Sequence, residues 1–196
     1  MAKSKNEIKN NNGVIIGGII IGVLVVFIGW SVSSYNGLVD ARENVDTKAA
    51  DVDVLLERRA DLIPNLVNTV KGYVKHEEDI IEDITDARKE LLEADDMEEK
   101  SEANDELTSA INALMVIVEN YPDLKANTNF INLQDELAGT ENRISVARRD
   151  YNSAVKTYNT KIKKVPTNII AEMFDFDDVD YFTVSDGKSE VPTIEF

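Results

Sequence analysis

From Gly13 to Val32 the chain runs for 20 residues without a charged side chain, and its centre reads VIIGGIIIGVLVVFIGW from Val14 to Trp30. As a helix, such a run is about 30 Å long, the thickness of a bilayer's hydrocarbon core. A helix packed inside a soluble domain would keep a polar face, and this segment has none. The run is therefore expected to be a transmembrane helix, with Trp30 and Tyr35 as aromatic anchors at the interface. The competing reading is a cleaved signal peptide ending near Ser31-Val32-Ser33. Against it, the run exceeds the roughly 7–15 apolar residues of a signal's central region. Lys3, Lys5 and Lys9 precede the run, whereas Arg42 is the one basic residue in the fifteen that follow it. That asymmetry places the N-terminus in the cytoplasm and the remainder of the chain outside. Gly18 and Gly22 carry the small-xxx-small spacing that lets helices approach closely, so a homo-oligomer formed through this face is an open option.

The net charge is −16, yet the side chains of Met1–Gly13 sum to +2, which leaves −18 on the rest. A polyanion of that size is repelled by phosphate backbones, so nucleic acid is not an expected partner. Basic partners, divalent cations and plain solubility are the readings left for the acidity, and solubility is the commonest. The chain has no cysteine, which removes disulfides, thiolate catalysis, zinc–thiolate sites and acylation at a lipobox.

Beyond residue 33 apolar residues recur at helical spacing. Leu38, Ala41, Val45, Ala49, Val52 and Leu56 form a first stripe. Asp61 and Pro64 predict a break, with Asp61 as a cap and Pro64 in the first turn of a second helix. Its stripe holds Ile63, Val67, Val70, Val74, Ile81, Ile84 and Leu91. The charged segment Glu93–Ala103 is expected to be an exposed, mobile corner, with a helical course as the alternative. Leu107, Ile111, Leu114, Val118 and Tyr121 mark a third helix, closed at Tyr121-Pro122 because the residue before proline avoids the helical region. Asn127-Thr128-Asn129 offers caps for a fourth helix, which runs through Leu133, Leu137, Ile144, Tyr151, Val155, Tyr158 and Ile162 to Val165-Pro166. No window alternates with a period of two between hairpin turns, so strands are not expected before residue 170. The expected fold is all-α: an antiparallel up-and-down four-helix bundle of long helices, preceded by one transmembrane helix. The expected layout is a short basic cytoplasmic tail over 1–12, the span over 13–32, the bundle over 33–165 and an acidic aromatic extension over 166–196. In that extension Phe174, Phe176, Tyr181, Phe182 and Phe196 need a surface to pack on, either a groove on the bundle or another protein.

Glu77, Arg88, Glu141 and Arg148 fall at seam positions, where a charge is expensive unless paired, so each is expected to face an opposite charge on a neighbouring helix. No constellation for catalysis accompanies them. His76 is the single histidine, flanked by Lys75, Glu77 and Glu78, and it suits a solvated face better than a haem or metal site. A lone His also excludes the usual di-iron carboxylate pattern. Asp177-Asp178-Val179-Asp180 lacks the spacing and glycine of an EF-hand loop. Neither a phosphate-binding glycine loop nor a Gly-x-Ser-x-Gly elbow is present. Catalytic, cofactor-binding and metal residues are therefore all expected to be none, and the chain is not expected to be an enzyme.

Three blocks of residues resemble the LemA family of bacterial membrane proteins. The first is Leu56-Glu-Arg-Arg-Ala-Asp-Leu-Ile-Pro-Asn-Leu-Val67, followed by Val70-Lys-Gly-Tyr-Val-Lys-His-Glu77, and it contains Arg58, Arg59, Asp61, Pro64, Asn65, His76 and Glu77. The second is Tyr121-Pro-Asp-Leu-Lys-Ala-Asn127 with Phe130 and Leu133, and it contains Pro122 and Lys125. The third is Glu141-Asn-Arg-Ile144, then Ala147-Arg-Arg-Asp-Tyr-Asn152 with Arg148, Arg149 and Tyr151, continuing to Val155, Tyr158-Asn159 and Pro166. Tyr35-Asn-Gly-Leu-Val39 also fits. Val165-Pro166 departs from a more usual Phe-Pro, and Gly72-Tyr73-Val74 from a Gly-Tyr-Ala. The resemblance implies an N-terminal anchor, a helical bundle, kinship with a magnetosome-membrane protein and no enzyme activity. It makes the matching residues specifiers of the bundle or an interaction surface. Three functions compete on these grounds. The favoured one is a membrane-tethered scaffold or interaction module of the cell envelope with an unidentified protein partner. The second is a self-assembling structural protein that organises the membrane. A carboxylate-based extracytoplasmic hydrolase or cation-binding protein comes last.

Overall fold

The chain, described by a computed structural model over residues 3–74 and 77–183 with side chains from Val14 onward, is helical over 85% of those residues. No strand occurs among the described residues. The elements are α1 (Lys3–Lys71), α2 (Glu78–Glu93), α3 (Met97–Val118), α4 (Pro122–Lys125), α5 (Thr128–Lys163) and α6 (Thr167–Met173). α1 is long and apolar enough near its N-terminus to cross a membrane, and the apolar side chains from Val14 to Val32 are mostly exposed. The chain divides into two compact units, one of residues 1–43 with 158–178 and the other of 44–157 with 179–196.

In the first unit, the part of α1 beyond residue 32 packs against the end of α5 and against α6. Leu38, Tyr158, Ile162, Ile170 and Ala171 are its buried side chains. Lys161 donates its ammonium to the carbonyl of Gly37. A Cβ on Gly37 would stand 3.0 Å from that nitrogen, so a larger residue there would make the lysine tip shift by a few tenths of an ångström. Arg42 lies over the Tyr158 ring, 5.8 Å from its centroid, and Tyr35 meets Phe174 edge-on at 4.8 Å and Phe176 at 5.7 Å.

The core of the second unit draws Val52, Leu56, Ile63 and Leu66 from α1, Ile84 and Leu91 from α2, Leu107 and Leu114 from α3, and Phe130, Ile144 and Val155 from α5. All of these but Leu66 and Phe130 belong to the stripes expected from the sequence. α5 spans 36 residues, and Asn127 caps it by accepting from the backbone N–H groups of Asn129 (2.9 Å) and Phe130 (3.1 Å). Pro122 opens α4, where its missing N–H costs nothing.

One expectation fails. The break at Asp61–Pro64 does not exist, because α1 runs through both residues to Lys71 and the chain turns at Gly72–Val74 instead. Pro64 removes the N–H that would bond the Ala60 carbonyl four residues earlier. That carbonyl accepts from Arg88 Nε of α2 at 2.8 Å, so the gap in the ladder is closed from outside the helix. Glu93–Ala103 takes the helical course apart from Ala94–Asp96; most of its side chains are exposed, while Ser101 and Ala103 are buried. Asp96 caps α3 by accepting from the N–H groups of Glu98 (3.0 Å) and Glu99 (2.9 Å), while Glu99 accepts from the Asp95 N–H at 2.9 Å. Asp96-Met-Glu-Glu99 has the capping-box sequence, but Glu99 takes the N–H of Asp95, one residue before the cap, rather than that of Asp96.

Candidate functional site

The second unit is organised around one buried cation. Arg59 is 3% exposed, and its guanidinium reaches from α1 to two other elements, α3 and α5. One terminal nitrogen donates to Asn104 Oδ1 at 2.5 Å and stands 2.7 Å from Glu141 Oε2, while the other donates to Thr108 Oγ1 at 3.0 Å. The Thr108 hydroxyl in turn donates to the Asn104 carbonyl at 2.8 Å. Glu141 Oε2 sits too far off the N–H axis for a hydrogen bond, so the contact is an ion pair by distance. Burial pulls the Arg59 pKa below its ordinary value, and the charges of Glu141 and Asp105 act in the opposite sense. A cleft of about 320 Å³ opens beside this cluster, with Asn112, Met115, Gln134 and Asn142 along its walls. Chemically, the cluster fixes how α1, α3 and α5 sit on one another. Its hydroxyl is already committed to Asn104, and among the described residues no imidazole or thiol stands beside it to activate a nucleophile.

A second cluster straps the segment after α6 onto α5. Tyr151 Oη donates to the Asp180 carbonyl at 2.8 Å. Asn152 grips Phe182 from both sides, donating to its carbonyl and accepting from its N–H, each at 2.9 Å. Ser101 donates to the Thr183 carbonyl, and the Arg148 guanidinium lies 5.7 Å from the centroid of the buried Phe182 ring. Of the extension's aromatic residues, Phe182 is buried on the chain itself, Phe174 and Phe176 meet Tyr35 while Phe174 stays half-exposed, Tyr181 is exposed, and Phe196 lies outside the described residues.

Between α2 and α3 runs a groove of about 580 Å³ whose walls carry Asp83, Asp86, Glu90, Glu102, Asp105 and Glu106. A hydrogen bond with Glu90 holds the Glu106 carboxyl above its usual range, and burial and the charges of Glu90 and Glu102 push the same way. Among the described residues, no three of His, Cys, Asp and Glu converge closely enough to hold a metal ion.

The residues singled out in the sequence fall into place around these features. Arg59 and Glu141 meet, which joins the first block to the third. The first and second blocks are joined where Asn127 Nδ2 donates to Tyr73 Oη at 2.7 Å and Tyr121 Oη reaches Glu77 at 3.5 Å. Lys125 pairs with Glu119 at 2.6 Å, and Phe130 is buried. Arg58, Asp61, Asn65 and Arg149 are exposed, and Asp61 caps nothing because it lies inside α1. His76 lies outside the described residues. Of the four seam charges, Glu141 alone faces an opposite charge at salt-bridge distance among the described residues. Arg88 serves a carbonyl, Glu77 a phenol and Arg148 an aromatic face, each a cheaper partner for a half-exposed group than a second buried charge. Asn104, Thr108 and Ser101 are functional polar residues that the apolar periodicity could not reveal.

A helical chain with one apolar N-terminal segment, tied together by contacts among three sequence blocks, is the class that these features define. The chain belongs to the LemA family, whose sequence profile matches residues 48–196. It is 28% identical over 191 residues to the magnetosome protein MamQ 2 of Paramagnetospirillum magneticum, covering 83% of this chain and 70% of the relative. Magnetosome protein MamQ of Magnetospirillum gryphiswaldense is 28% identical over 185 residues, covering 81% and 68%. Protein LemA of Metamycoplasma hominis is 26% identical over 162 residues, covering 82% and 74%.

Proposed function

We propose that the protein is a membrane-anchored helical scaffold of the bacterial cell envelope, an antiparallel four-helix bundle that binds another envelope protein and carries out no catalysis. One observation carries this reading. The apolar stretch beginning at Val14 and the core residues from Leu38 to Val70 belong to the same uninterrupted helix, so α1 is anchor and packing element at once. The Arg59 and Asn152 clusters support the same reading, because they spend the most polar residues of the family blocks on holding helices together. The kinship with magnetosome proteins is consistent with a role at a membrane. Crosslinking in native membranes, followed by purification of the full chain, tests it: a reproducible protein partner supports the scaffold, and capture of nothing beyond a control span removes it.

Self-association through the span is a second reading. A Cβ built on Gly18 or Gly22 meets nothing within 4 Å, so that face is open to a neighbouring helix. Analytical ultracentrifugation in detergent should then show an oligomer that Gly18→Leu dissociates, and a monomer for both forms would end this reading.

A further inference from the structure

α6 carries apolar side chains on two sides, with the exposed carboxylate of Glu172 between Ile169 and Met173 on the outer one, free to reach past them to water. Ile170 and Ala171 face inward and are buried, while Ile169 (53% exposed), Met173 (66%) and Phe174 (52%) face outward, beside Val165 at 82%. A seven-residue surface helix in water keeps its second side polar, so this outer side needs a cover. Its place in the first unit puts it close to the apolar run of α1. Tyr35 lies three residues beyond Val32, about 4.5 Å along α1 from the end of the apolar run. The Phe174 ring stands 4.8 Å from the Tyr35 ring, and Lys161 reaches back to the Gly37 carbonyl. α6 is thus held within about 10 Å of the end of the run, at the depth where interfacial helices bury their apolar sides between headgroups and acyl chains. The exposed Lys164 stands beside Val165 at the turn into α6, suited to lipid phosphates.

We infer that Val165, Ile169, Met173 and Phe174 form a second membrane contact, inserted at the interface of the bilayer that the α1 segment crosses. The inference rests on α1 being a span. The chain has no cysteine, so single cysteines carrying an environment-sensitive fluorophore can be placed in the full chain at Ile169, at Met173, at Ile20 within the span, and at Glu43, about 16 Å along α1 from Val32. Each is reconstituted in vesicles of phosphatidylcholine with a minority of phosphatidylglycerol, and bromines are carried near the headgroup end of the acyl chains or near their tips. The expected result is blue-shifted emission from positions 169 and 173, quenched several-fold more strongly by shallow bromines than Glu43→Cys. Emission at 169 and 173 that matches Glu43→Cys, with Ile20→Cys quenched by deep bromines, would overturn the second contact and leave the span intact. An unquenched Ile20→Cys would overturn both. Disulfide formation between copies at Met173→Cys without lipid quenching would show that a second chain, rather than lipid, covers the helix, and would also overturn it.

Discussion

At the scale of single residues, the cost of a buried charge decides what Arg59 can be replaced by. Arg59→Ala removes the partner of Glu141 and Asn104 and opens space among α1, α3 and α5. Because the Glu141 side chain is 40% exposed and can turn to water, the loss should fall short of a fully buried pair, at about 2–3 kcal/mol in urea unfolding. Arg59→Lys should recover only part of it, since an ammonium cannot span Asn104 and Thr108 as a fork does. The strap behaves differently. Phe182→Ala should cost about 3 kcal/mol through the lost ring, and Asn152→Ala about 1–2 kcal/mol through two unmet backbone groups. Both should make the chain after α6 an early site of limited proteolysis, with Phe174–Thr183 cut before α5.

At the scale of elements, the missing N–H of Pro64 and the side chain of Arg88 form one device, and a double-mutant cycle tests it. Arg88→Met should destabilise by about 1–2 kcal/mol in the native background. After Pro64→Ala, which restores the helical donor at an exposed position, Arg88→Met should cost clearly less. Equal losses in both backgrounds would separate the two residues. The α2–α3 groove gives a pH dependence. The fold raises the Glu106 pKa above its unfolded value of about 4.5, so it binds that proton more tightly than the unfolded chain does. This contribution is complete below the unfolded value and is lost as pH rises through the folded one. Glu106→Gln should therefore stabilise by about 0.5 kcal/mol near pH 7, a size set by solvent screening, and by almost nothing near pH 4. The elements also show how far sequence reached. α5 was legible from end to end because its helical spacing holds from Leu133 to Ile162 even through Glu141 and Arg148, and Asn127 announces its start. The course of α1 through Pro64 was not, because proline is read locally as a breaker and the donor that permits it lies 24 residues further on. The start of α3 was hidden by its charges, and its buried polar residues Ser101 and Asn104 left no apolar trace.

For the whole molecule, the anchor and its orientation make the test. With three lysines ahead of the apolar run, an impermeant maleimide should label Val116→Cys, exposed on α3, in intact cells, and Lys5→Cys only after permeabilisation. The reverse pattern would invert the topology. Arg88 has one more consequence, a mechanical one. A helix with a vacant carbonyl is a place to flex, and a guanidinium laid against that carbonyl works as a splint. Spin labels at Glu57 and Lys71, both exposed and on either side of Pro64, should give a narrow distance distribution in the native chain. In Arg88→Met the same pair should spread, so that stiffness within α1 is set by a residue of another helix.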